Sequence, residues 1–70
     1  MQERWAKTVP CRDLAGRIRS ATVAITDKAE VAVSMPPGGS GFWTPSEFRQ
    51  FIETAIAAQM EASHRRGGER

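Results

Sequence analysis

The chain holds one cysteine, one histidine and no tyrosine. Cys11 has no partner for an internal disulfide, and Cys11 with His64 falls short of a four-ligand zinc site. No apolar run approaches the ~20 residues that cross a bilayer, and no apolar signal segment opens the sequence. The expectation is a soluble cytoplasmic protein with no membrane partner. No Ser-His-Asp, paired-carboxylate or metal-ligand constellation stands at a spacing that does chemistry, so no enzyme activity, cofactor or metal is expected. Charge of one sign is not abundant either, since 10 basic and 8 acidic side chains leave a net +2. Basic residues gather early, with Arg4, Lys7, Arg12, Arg17 and Arg19 against Glu3 and Asp13 within residues 1–20. That bias is compatible with nucleic acid and well short of a dense basic patch.

Seventy residues form a single small domain, 1–70. A chain of this length buries only about 60% of its unfolded surface, which leaves a marginal core. With disulfide and metal staples missing, association is the remaining one, and a homodimer is expected.

Glycine and proline are concentrated in one place, and the clearest signal in the chain stands directly after them. Thr44 can cap a helix with its hydroxyl, Pro45 fits the first helical position, and Glu47 can reach back to the Thr44 N–H, closing a capping box. The sequence therefore predicts a loop over 37–43, a helix over 44–64 and a disordered basic tail over 65–70. Phe48, Phe51, Ile52, Ala55, Ile56 and Ala62 make the apolar stripe of that helix.

Upstream, Ala21, Val23 and Ile25 alternate with Thr22, Ala24 and Thr26, and Val31, Val33 and Met35 alternate with Ala32 and Ser34. The polar stretch Asp27-Lys28-Ala29-Glu30 separates the two runs, giving a β-hairpin over 18–36. Its second face, small and mildly polar, is either solvated or covered by the N-terminal segment. Residues 1–17 read as irregular, with Cys11, Leu14, Ala15 and Ile18 at helical spacing and a helical turn over roughly 10–16. The predicted architecture is α+β, a hairpin packed on one long C-terminal amphipathic helix. Its core is Ile25, Val31, Val33, Met35, Phe48, Phe51, Ile52 and Ile56. A helix of ~30 Å outreaches strands of 17–20 Å, so something beyond the hairpin must cover its far end.

Candidate contact residues lie at the loop and along the helix. Gly38-Gly39-Ser40-Gly41 lacks the Lys-Ser/Thr of a phosphate loop, because Phe42 and Trp43 stand there. Trp43 either staples onto Phe48 or stays exposed as an anchor; the staple directs Phe42 outward, as a contact for a partner. Ala55, Ala58 and Ala62 form a small-residue ridge that would admit a second helix, or simply reflect helix propensity. Gln59 lies within the apolar stripe. Cys11 beside Arg12 is either a lowered-pKa thiol or a small buried residue.

The run Pro37-x-Gly39-x-Gly41-x-Trp43-Thr44-Pro45-x-Glu47, with the Ala-rich helix after it, resembles short proteins of actinobacteria and their phages. The ββα order is similar to the dimerisation domain of Lsr2-type nucleoid proteins, whose DNA-reading Arg-Gly-Arg segment has no match here. The resemblance implies a small accessory protein and no chemistry. The functional expectation is a non-enzymatic interaction and dimerisation module, a phage or mobile-element accessory factor acting on a host protein. The alternative is a weak nucleic-acid binder using Arg4, Lys7, Arg12, Arg17 and Arg19.

Overall fold

A computed structural model describes residues 4–67. The chain forms β1 (Ala6–Arg12), β2 (Ile18–Ile25), β3 (Val31–Ser34) and α1 (Pro45–Gly67). The strands make one antiparallel sheet in the order β1-β2-β3, and α1 packs on one face of it. The α+β hairpin-and-helix architecture is therefore present, with one strand more than the sequence reading allows.

That extra strand corrects the irregular assignment of residues 1–17. Val9 and Cys11 alternate with exposed Thr8 and Pro10, a period of two that puts both apolar side chains on the helix face. Cys11 lies opposite Arg19 and Val9 opposite Ala21. Pro10 is tolerated because its missing N–H lies on the outer edge of the sheet. The ladder phase shows this: the Ile25 N–H donates to Trp5 O at 3.1 Å, so odd-numbered residues of β1 face β2. The predicted helical turn over 10–16 is instead the β1–β2 connection. There the Asp13 carboxylate accepts the N–H groups of Ala15 (3.0 Å) and Arg17 (2.9 Å), and Gly16 takes φ +81°.

The core is made of small residues. Val9, Cys11, Ala21, Val23, Ile25, Ala29, Ala58 and Ala62 are buried, with Val23, Ile25, Ala58 and Ala62 in mutual contact and Trp5 and Phe51 packed against them. Ile25 and, in part, Phe51 match the predicted core. Val31, Val33, Met35, Phe48, Ile52 and Ile56 do not; each is 38–52% exposed. The physical reason is fit. Alanines at 58 and 62 let the helix approach the sheet closely, and larger side chains are pushed to its flank. Trp5 covers the far half of α1, the task the hairpin is too short to perform.

The predicted tail is also corrected at its start. Arg65 and Arg66 are helical; Arg65 pairs with Glu61 at 3.1 Å, and Arg66 Nε donates to Ala29 O at 3.1 Å. Residues 68–70 of that tail, and 1–3 of the N-terminal segment, lie outside the described residues.

Candidate interaction surface

The helix start forms as its sequence dictates. Glu47 Oε1 accepts the Thr44 N–H at 2.9 Å, and the Glu47 N–H donates to Thr44 Oγ1 at 3.3 Å. The same carboxylate receives both terminal nitrogens of Arg12, at 2.9 and 3.3 Å. Arg12 and Phe42 also exchange two backbone hydrogen bonds of 2.9 Å. One acidic side chain thus ties the end of β1 to the beginning of α1. Its carboxyl is held below the usual carboxylate range, first by the Arg12 guanidinium and then by the Thr44 N–H. Asp13 is lowered too: the Arg17 N–H, the Ala15 N–H and Arg19 at 3.3 Å together outweigh its burial.

Trp43 packs onto Phe48 (ring centroids 5.7 Å) and Phe51 (5.3 Å), while Phe42 is 48% exposed at the β1 edge. The Trp43 indole N–H is enclosed without an acceptor among the described residues. The alanine ridge does not face outward. Ala58 and Ala62 are buried against the chain's own sheet and Ala55 is half-buried, so Ala58 and Ala62 are not open to a second helix. Gln59, read as part of the apolar stripe, is exposed.

The five basic residues do not share one face. Arg12 and Arg19 are ion-paired with Glu47 and Asp13, and Arg17 is exposed on the β1–β2 connection. Arg4 and Lys7 line an open cleft of about 310 Å³ with Trp5, Ala6, Glu61 and Arg65. Lys7 Nζ stands 5.7 Å from the Trp5 ring centroid there.

The most prominent surface lies on the other flank of the helix. Val31 and Val33 are the cross-strand partners of Ile25 and Val23, so their side chains share the helix-facing side of the sheet. Helix α1 sits chiefly over β1 and β2, leaving β3 largely uncovered. Residues 48, 52 and 56 step by four along α1, and each step turns ~40° away from the buried face. That flank is turned toward β3, because Arg66 on it reaches Ala29 in the β2–β3 turn. Glu61 and Arg65, on the opposite flank, meet Trp5 and Lys7. Val31, Val33, Met35, Phe48 and Ile52 thus leave an open apolar trough beside β3, with exposed Ile56 a further ~40° round the helix toward solvent. Sequence reasoning assigns all six to the interior. The missed signal is number: one helix stripe cannot bury both the 51-55-58-62 row and the 48-52-56 row on a three-stranded sheet.

No family model matches the chain, and no curated protein or solved structure matches it.

Proposed function

We propose that the chain is a non-enzymatic protein-interaction module whose working surface is the trough between α1 and β3. The observation that supports this is the exposure, at 38–52%, of six large apolar side chains, three in or just after β3 and three on α1. They present on the order of 450 Å² of apolar surface, within the range where the largest patch on a small protein usually serves binding. None of the six side chains is charged, so selectivity comes from shape and strand pairing. A benzophenone amino acid placed at Ile52, or at Ser20 on the outer face of the sheet, tests the reading in the producing cell. Covalent adducts from Ile52 and none from Ser20 support it. No adduct from Ile52 overturns it.

A second reading, weak nucleic-acid binding, has Arg4, Lys7 and Arg65 around Trp5 in its favour. It predicts retention of single-stranded DNA that falls steeply between about 50 and 200 mM salt. Absence of retention at low salt eliminates it.

A further inference from the structure

The two edges of the sheet differ. Along β1, outward-facing backbone groups belong to Ala6, Thr8, Pro10 and Arg12. Pro10 has no N–H to offer, and Arg12 is already bonded to Phe42. The Pro10–Arg12 half of that edge is therefore closed to a further strand, while Ala6 and Thr8 stay open. Along β3, the Thr26 N–H donates to Glu30 O at 2.8 Å, which fixes the phase of the ladder. Alternation then makes Ala24–Ala32 and Thr22–Ser34 the hydrogen-bonded pairs, so the N–H and C=O of Val31 and Val33 point away from β2. No hydrogen bond reaches those groups among the described residues. The strand Val31-Ala32-Val33-Ser34 is exposed at every position and carries no charge. Its only protection is its shortness, four residues ended by Pro36 and Pro37.

Resting on the trough reading above, we infer that the occupant is a second copy of this chain, docked β3 against β3, antiparallel, about a twofold axis through Ala32. In that register Val31 of each copy stands opposite Val33 of the other, and the four outward N–H and C=O pairs are satisfied. Ala32 meets Ala32 on the outer face, where two methyl groups fit side by side. An axis normal to the sheet keeps both helices on one side, so Phe48, Ile52 and Ile56 of each copy face their counterparts above four valines. An uncharged strand carries nothing to repel its own copy, and the six apolar side chains favour an apolar surface of the kind a second copy presents. The apolar lining of two copies, about 450 Å² each, comes to roughly 900 Å² if fully buried, at the weak, transient end of interface sizes. Association in the micromolar range is the expectation.

Three measurements on the purified full chain test this. Sedimentation of the unaltered chain at about 100 µM should give twice the monomer mass. The Val31 and Val33 amides should exchange slowly with solvent at that concentration and rapidly on dilution. Ala32→Cys should form a reducible intermolecular disulfide in mild oxidant, because a non-hydrogen-bonded antiparallel pair holds Cα atoms about 4.5 Å apart. Ser34→Cys should not. Cys11, 1% exposed, stays out of the reaction. A monomer at ~100 µM overturns the second copy. A dimer whose Val31 and Val33 amides exchange freely overturns the strand pairing, as does cross-linking at Ser34 in place of Ala32. Each of these results leaves the trough itself standing if Ile52 still photo-cross-links to another protein. Loss of that cross-link as well removes both readings.

Discussion

Val23 and Val33 are the same residue, directly opposite one another on neighbouring strands and pointing to the same face of the sheet. Their surroundings differ: Val23 is fully enclosed, and Val33 is 45% exposed. Truncation to alanine removes two methylene-sized groups, about 1.6 kcal/mol of transfer free energy when burial is complete. At Val23 the cavity left behind raises this to about 2.5 kcal/mol. At Val33 in an isolated copy, with half the side chain already in water, the loss is about 0.8 kcal/mol. A domain of this size has only about 3–5 kcal/mol of stability, so Val23→Ala removes half or more of it and Val33→Ala a minor fraction. Urea unfolding followed by tryptophan fluorescence measures both, through midpoint shifts at constant slope. At low micromolar concentration the two variants should differ about threefold in cost. At hundreds of micromolar, with Val33 enclosed between copies, the difference should narrow. Equal costs at low concentration would show that Val33 is covered by its own chain, and the trough would not exist.

Other consequences are as direct. Trp43→Ala should destabilise the chain by about 2 kcal/mol, because the ring packs on Phe48 and Phe51. Phe42→Ala should cost less than about 0.5 kcal/mol, since that half-exposed residue pairs with Arg12 through its backbone alone; urea midpoints of the two variants check the contrast. Gly41→Ala should lower the melting temperature, because a Cβ there would lie 2.8 Å from Met35 Cε and 2.9 Å from Trp43 Cη2. The Met35 tip can move aside, but the Trp43 ring is held between two phenylalanines. Glu47 and Asp13 are both lowered from their ordinary values of 4.5 and 3.8. Each therefore contributes stability that is complete above those values and is lost as pH falls through the lower folded ones. Melting temperature should drop between about pH 5 and about pH 2, and Glu47→Gln should flatten part of that drop; a flat profile in the unaltered chain refutes the assignment.

The helix start is legible to the residue because capping is local: Thr44, Pro45 and Glu47 act on one another across a single turn. The hairpin is legible because alternation either side of Asp27–Glu30 needs no tertiary information. Strand β1 is not, since Pro10 sits in its middle and Cys11, Leu14, Ala15 and Ile18 imitate helical spacing. Only the pairing with β2 shows that Pro10 costs no ladder bond. The core is misjudged for a different reason. Hydrophobic size singles out Phe48, Ile52 and Ile56, whereas close approach to a sheet selects alanine, and Ala58 and Ala62 face inward accordingly. The apolar trough is the sum of those misplaced residues, so its members are visible in the sequence and its openness is not.

The blocking of half the β1 edge by Pro10 and by the Arg12–Phe42 bridge bears on how far the proposed self-association would proceed. A sheet with two open edges adds copies indefinitely, and an exposed apolar strand such as β3 is the kind of segment from which fibres grow. With β1 blocked at Pro10 and Arg12, β3 is the uninterrupted edge, and the proposed twofold would consume it in both copies. Growth through β3 alone would stop at a finite, closed particle. Replacing Pro10 with a residue that restores the N–H would lengthen the open part of the β1 edge from Ala6 and Thr8 to residue 10, and would favour growth beyond two copies.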